Sequence, residues 1–211
     1  MNYIIIPVTN FFQNCCIIWC STTLHAAIID PGGEHNKIID NIIKYKLSVK
    51  KILITHGHLD HIGSAYILSN IYKIPILGPH KKDYFWIKNI NFQKNIFQIP
   101  SCTFTKNIWL KNNNQISIGN LILTVYHCPG HTPGHIVFFN KLSNILISGD
   151  VIFKKNIGRT DLPLSNYNDL ICSIKQKILP LGNNVIIIPG HGPITNIGYE
   201  ILNNPFLKKN Y

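Results

Sequence analysis

The densest run of reactive side chains is Thr55-His56-Gly57-His58-Leu59-Asp60-His61, three imidazoles and a carboxylate within six residues. A single His beyond a strand is an ordinary surface or core residue, but burying three unpaired imidazoles and a carboxylate together would be costly. Imidazole nitrogens and carboxylate oxygens are the donors that divalent metal ions take. Successive side chains of an extended segment point opposite ways, so His56 and His58 share one side. A turn into a helix would bring Asp60 and His61 around from another direction. One ion cannot easily collect all four donors from so short a run, whereas two adjacent ions can divide them.

Three further places repeat the arrangement. The apolar runs Leu121–Tyr126, Asn144–Ile147 and Val185–Ile188 lead to Cys128-Pro129-Gly130-His131, Ser148-Gly149-Asp150 and Pro189-Gly190-His191-Gly192. Each offers a His or Asp just past an apolar strand and next to glycine. Ligands gather at such strand ends in α/β sheets, and glycine lets the backbone turn sharply there. With His56–His61, these ends supply five His and two Asp, which reads as a dinuclear metal centre. His25, His35, His80 and His127 have no such context and read as surface or core residues. His135 lies near the site but reads as structural.

The elements that must position these residues alternate. Tyr3–Val8, Cys16–Trp19 and Ala26–Ile29 read as strands, the last ending at the turn Asp30-Pro31-Gly32-Gly33. Asn36–Leu47 has apolar residues at helical spacing, and Lys50–Thr55 reads as a strand buried on both faces. Ile62–Tyr72 looks helical. Ile74–Leu77 is a short strand whose Pro75 suggests an edge. Residues 80–115 are Asn/Lys-rich with scattered Phe85, Trp86, Phe92, Phe97, Phe104 and Trp109, and yield no clear element. Strands follow at Leu121–Tyr126, Ile136–Phe139, Asn144–Ile147 and Val185–Ile188. Tyr167–Leu179 reads as a helix, with Asn166 as N-cap and Pro180 after its end. The whole is an α/β protein, read as one domain over residues 1–211.

The 211 residues carry 20 Lys+Arg against 9 Asp+Glu, a formal charge of +11. A surplus of that size can mark a nucleic-acid or anionic-membrane partner. Here 19 of the bases are Lys, beside 40 Ile and 25 Asn. These residues share A/T-rich codons, so a mutational bias accounts for the balance and no specific nucleic-acid or membrane partner is expected. The scarce acids are the informative residues. No apolar run approaches the ~18–20 residues of a membrane span. Met1-Asn2-Tyr3-Ile4-Ile5-Ile6-Pro7 lacks the features of a secretory signal, so the expected compartment is the cytoplasm. The six cysteines include no Cys-x-x-Cys pair and read as reduced, mostly buried thiols.

The order His-x-His-x-Asp-His, Gly-His, Gly-Asp, Gly-His-Gly resembles the metallo-β-lactamase fold superfamily over about residues 3–200. That resemblance implies an αββα sandwich with two divalent metal ions, zinc foremost and iron or manganese as alternatives, in a cleft at one edge. It implies that His56, His58 and His131 hold one ion, that Asp60, His61 and His191 hold the other, and that Asp150 bridges them. True β-lactamases usually have a metal-binding Cys where Asp150 stands, which disfavours antibiotic hydrolysis. Cys128-Pro129-Gly130-His131-Thr132-Pro133-Gly134-His135 and Gly149-Asp150-Val151-Ile152-Phe153 look most like the short, single-domain bacterial glyoxalase II-like proteins. Those are thioesterases acting on S-D-lactoylglutathione, so a small-molecule thioester is the expected partner. The larger glyoxalases have a helical C-terminal region that holds glutathione. This chain ends about 20 residues after His191, and no such region is expected.

By the same resemblance, a metal-bridging hydroxide attacks the thioester carbonyl, with Asp60 orienting its proton. Arg159 is the only Arg, in Gly158-Arg159-Thr160-Asp161. Its planar fork either faces a substrate carboxylate or pairs with Asp161 to brace the loop. Lys154 and Lys155 read as solvated. A rival reading is the persulfide dioxygenases, which share the fold, the His-x-His-x-Asp-His run and a Gly-Arg-Thr-Asp segment, and resemble a single-iron site using only His56, His131 and Asp150 with the second set of ligands idle. Nucleases of the superfamily carry extra RNA-gripping insertions, and none is visible here.

Overall fold

The computed structural model describes residues 1–97 and 107–208, with side-chain surroundings for 1–94 and 107–208. Cys102, Phe104 and the side chain of Phe97 lie outside them. Five strands, β1 (Asn2–Val8), β2 (Gln13–Trp19), β3 (His25–Ile29), β4 (Ser48–Leu53) and β5 (Ile76–Leu77), form the first sheet in sequence order. β1 to β3 pair antiparallel, and β3, β4 and β5 run parallel. The parallel crossovers hold α1 (His35–Lys44), α2 (Leu59–Ile62) and α3 (Ala65–Tyr72). A turn at Lys81–Asp83 and the helices α4 (Tyr84–Lys88) and α5 (Ile90–Phe97) fill part of the stretch that gave no clear sequence signal.

The second sheet has the order β13-β12-β9-β8-β7-β6. Its strands are β6 (Gln115–Ile118), β7 (Leu121–His127), β8 (Ile136–Asn140), β9 (Ile145–Gly149), β12 (Ile186–Pro189) and β13 (Thr195–Asn196). β9 and β12 are parallel and the other pairs antiparallel. A small hairpin, β10 (Ile152–Phe153) with β11 (Asn156–Ile157), precedes α6 (Tyr167–Ser173), and α7 (Ile197–Asn203) follows β13.

Strand alternation builds three apolar layers. On β2, Cys16 and Ile18 face the second sheet and pack with Leu123, Val125, Phe138 and Ile147. The intervening Cys15, Ile17 and Trp19 face the opposite way, against Ile38 and Ile42 of α1. Val137, Leu146 and Ile187 turn outward from the second sheet onto Leu170, Ile174 and Ile197. The layering is therefore helices, sheet, sheet, helices, the αββα sandwich that the family resemblance implied.

Every strand read from the sequence is present, and β5 lies at the sheet edge as Pro75 suggested. The helix expected over Ile62–Tyr72 is broken, because the backbone N–H of Ser64 bonds the Pro31 carbonyl at 2.8 Å and redirects the chain. Asn166 caps α6 by accepting from the Asp169 N–H. The regular helix ends at Ser173, and Ile174–Ile178 widens into a π turn ahead of the 3-10 turn containing Pro180. Among the described residues no helix is long and apolar enough to cross a membrane.

Candidate metal centre

The C-terminal ends of β4, β7, β9 and β12 meet along one edge of the sandwich. His56 and His58 lie between β4 and α2, His56 at a bend and His58 in extended backbone, and Asp60 and His61 lie in the single turn of α2. His131 follows β7, Asp150 follows β9 and His191 follows β12. Two links close the sheets at this edge: Ile136 N–H donates to the Thr55 carbonyl at 2.9 Å, and Asn14 N–H donates to the Gly190 carbonyl at 2.7 Å. Asn14 Nδ2 also bonds the carbonyls of Pro189 and Gly192, pinning the His191 loop to β2.

The seven residues singled out in the sequence converge. His56, His58 and His131 bring one nitrogen each within 4.8 Å of one another, and Asp60, His61 and His191 form a second such group. Asp150 lies between them. Its Oδ1 is 3.5 Å from His61 Nε2, and its Oδ2 is 3.5 Å from His131 Nε2 and 3.7 Å from His191 Nε2. Asp60 Oδ2 approaches His191 Nε2 at 3.3 Å and His61 Nε2 at 3.7 Å. The crowding requires glycine: a Cβ on Gly190 would stand 2.1 Å from Asp150 Oδ1, and one on Gly32 only 1.5 Å from the Asp60 carbonyl oxygen.

Hydrogen bonds on the far side of four of the five rings fix which nitrogen faces the centre. His131 Nδ1 donates to the Arg159 carbonyl at 2.9 Å and His191 Nδ1 to the Phe11 carbonyl at 3.1 Å, so both present Nε2. His61 Nδ1 lies 3.0 Å from Asp30 Oδ2. The Thr55 hydroxyl donates to the same oxygen at 2.6 Å and so accepts from His56 Nδ1 at 2.9 Å. His58 differs, approaching His131 Nε2 at 3.0 Å with its Nδ1.

Burial holds the pKa of His56, His58 and His131 below the ordinary imidazole value, keeping them neutral and able to donate a lone pair. Burial opposes charge at His61 too, but the Asp150 and Asp60 carboxylates outweigh it and raise its pKa. Burial alone would raise Asp150, yet His61 and His191 hold it well below the usual carboxylate range. His56 Nε2, His61 Nε2 and Asp150 Oδ1 are buried with no hydrogen-bond partner. Buried polar atoms aimed at a common point without partners fit divalent cations, and the mixed imidazole and carboxylate donors suit zinc, iron or manganese.

Sequence reasoning missed the residues behind these candidate ligands. Asp30 also accepts from the Thr55 N–H at 2.7 Å, and fully buried Gln13 reaches His61 Nδ1 with its amide at 3.4 Å. The signal for Asp30 was present, since it too follows an apolar strand beside Pro-Gly-Gly. His135 is structural, as expected, accepting the Asp150 N–H at 3.0 Å. His80 and His127 stack on each other at 4.2 Å, and neither they nor His25 and His35 join a ligand group among the described residues.

A cleft of about 480 Å³ opens over the centre, walled by Phe11, Phe153, Ile157, Leu162 and Pro193, with Lys154 and Arg159 also lining it. Arg159 is engaged: Nε donates to Asp161 Oδ1 and Nη2 to Oδ2, both at 2.8 Å. The ion pair left open in the sequence is thus formed, with side chains 62% and 68% exposed.

The metallo-beta-lactamase superfamily model matches residues 8–191, and the chain belongs to that superfamily, a group of metal-binding enzymes that are mostly hydrolases. Over 209 residues the chain is 44% identical to the hydroxyacylglutathione hydrolase GloC of Haemophilus influenzae, covering 98% of each. Among solved structures, the BLEG-1 B3 metallo-beta-lactamase is 34% identical with a TM-score of 0.91, over 98% of this chain and 100% of that one. TTHA1623 in a di-iron-bound form is 28% identical with a TM-score of 0.88, over 97% of this chain and 100% of that one.

Proposed function

We propose that the chain is a dinuclear metal-dependent thioesterase of glyoxalase II type, acting on S-D-lactoylglutathione or a related acyl thioester. The observation that carries this is the pair of complete three-residue ligand groups on either side of Asp150, at the floor of a cleft large enough for a small molecule. The 44% identity to the Haemophilus influenzae hydroxyacylglutathione hydrolase supports the substrate class. Bound at the two groups, divalent cations supply Lewis acidity and a hydroxide at neutral pH.

The chain's own groups do the rest. Asp150, anionic in its cluster of imidazoles, balances charge between the two sites. Asp60 reaches the cleft and orients the proton of the attacking water. In the net reaction a C–O bond forms to the acyl carbon, the C–S bond breaks, and the water's proton passes to the departing sulfur. Arg159 at the rim meets a carboxylate of the substrate. The described cysteines carry free thiols, in keeping with action in the reducing cytoplasm.

A mononuclear iron dioxygenase would use His56, His131 and Asp150 and carry Asp60, His61 and His191 idle, so the ligand set is common to both readings, and what favours hydrolysis is the 44% identity to the Haemophilus influenzae hydroxyacylglutathione hydrolase. The test is metal analysis of the purified protein with parallel assays on S-D-lactoylglutathione, nitrocefin, RNA, and glutathione persulfide with oxygen uptake. Two metal equivalents and thioester turnover are expected. One iron with oxygen uptake, or turnover undiminished after metal stripping, would overturn the reading.

A further inference from the structure

The segment that gave no clear sequence signal places two fully buried polar side chains against the ligand loops. Asp83 Oδ2 accepts from the Gly57 N–H at 2.9 Å and the Thr132 hydroxyl at 2.8 Å, and its Oδ1 accepts from the Gly134 N–H at 2.5 Å. Gly57 stands between His56 and His58, and Thr132 and Gly134 follow His131. One carboxylate therefore joins the two loops that carry the first ligand group, one loop from each sheet. Gln93 backs the same place: Oε1 accepts from the Leu59 N–H at 2.9 Å, and Nε2 donates to the carbonyls of Gly57 at 3.1 Å and Trp86 at 2.8 Å. The approach is too close for larger residues. A Cβ on Gly57 would stand 2.8 Å from Trp86 Cβ, and one on Gly134 would stand 2.4 Å from the Asp83 backbone nitrogen. None of these side-chain bonds of Asp83 reaches Asp60, His61 or His191.

We propose that Asp83 is a positioning residue for the first metal site, fixing the spacing of His56, His58 and His131, with Gln93 buttressing the His56–His58 loop. The inference rests on reading those three residues as a metal-ligand group. Three rings on two loops from different sheets bind an ion tightly only if the loops are held in register. A buried carboxyl group that accepts from both does so through three hydrogen bonds shielded from water. Losing such support weakens metal binding by about 10–100-fold.

The test titrates zinc against a chromogenic chelator in metal-stripped full-length protein, with Asp83→Ala placed in two backgrounds. In His191→Ala, where the first site remains, Asp83→Ala should weaken zinc by about 10–100-fold. In His131→Ala, where the second group is intact, it should leave zinc affinity unchanged. Thr132→Val removes one of the three donors and spares the carboxylate. It should shift first-site affinity in the same direction by less, and it carries the test if Asp83→Ala does not fold. Equal weakening in both backgrounds, or none in either, overturns the proposal. If the unmutated protein binds neither zinc nor, in parallel titrations, iron(II) or manganese, the metal reading itself fails, and this inference with it.

Discussion

Oδ2 of Asp30 lies 3.0 Å from Nδ1 of His61 and also accepts the Thr55 hydroxyl, which faces His56 Nδ1. One carboxylate thus orders a ring in each ligand group, whereas Asp83 serves only the first. Asp30→Ala strands the Thr55 N–H, the Thr55 hydroxyl and His61 Nδ1, each at about 1–3 kcal/mol. The expected result is a destabilised protein whose zinc affinity falls about 10–100-fold at both sites. Zinc titration with thermal unfolding checks this, and a second site of unchanged affinity would count against it.

Asp150 contributes side-chain charge to the centre and a backbone N–H to His135. Asp150→Asn keeps the backbone bond and the side-chain shape but loses the anion between the two groups. The fold should survive, seen as an unchanged far-UV spectrum. Thioester turnover should drop on the order of 100-fold or more, as when an electrostatic catalytic contact is lost.

Removing metal should cost stability as well as activity. The cluster keeps three neutral imidazoles and two crowded carboxylates inside the protein, with His56 Nε2 lacking any hydrogen-bond partner, an arrangement that bound cations would stabilise. Dialysis against EDTA should lower the unfolding midpoint, and added zinc should restore it. At 100 times the dissociation constant, each site contributes about 2.7 kcal/mol. A midpoint indifferent to EDTA would argue that no metal had been bound.

The convergence of the seven candidate ligands was legible because each sits where sequence grammar is strongest, near glycine just past the end of an apolar strand. Asp30 obeys the same rule, but one Asp before Pro-Gly-Gly reads as turn chemistry. Asp83 and Gln93 left no local trace, since Asp83 finds its partners 26, 49 and 51 residues away in sequence. Polar residues that bond across such separations carry no periodicity. The charge of +11 also becomes clearer. Asp30, Asp60, Asp83, Asp150 and Glu200 are all buried, so the few acids retained are concentrated in the interior, where four of them build or brace the centre. Folding spends the scarce negative charge inside and leaves a lysine-rich exterior.

Arg159 is held by Asp161 in an exposed bidentate pair, so losing it should barely move the unfolding midpoint. Its backbone carbonyl, which accepts from His131 Nδ1, survives any side-chain change. Arg159→Ala should therefore raise KM for S-D-lactoylglutathione roughly tenfold, with kcat nearly unchanged, as expected when a uniform binding contact is removed. Unchanged KM would leave the pair as a brace for its loop and nothing more.

Glu200 is fully buried on α7, outside the metal centre, and still bears on the cleft. Its Oε1 accepts the Thr195 hydroxyl at 2.5 Å, and its Oε2 accepts the Lys155 N–H at 2.8 Å and Asn204 Nδ2 at 2.9 Å. Asn204 Nδ2 also bonds the Asn156 carbonyl at 3.0 Å. Together they hold the β10–β11 turn, where Lys155 adopts a left-handed φ of 59°, and that hairpin lines the cleft through Phe153, Lys154, Asn156 and Ile157. Glu200→Ala leaves three donors, two of them buried, without this acceptor and should cost about 3 kcal/mol. At about 2–4 °C per kcal/mol for a chain of this size, the midpoint should fall by roughly 6–12 °C. KM should rise as the wall loosens, while zinc stoichiometry stays at two. Glu200→Gln keeps an acceptor and should lose less on both measures. A variant that lost zinc in proportion to stability would show that Glu200 supports the whole sandwich and not this wall.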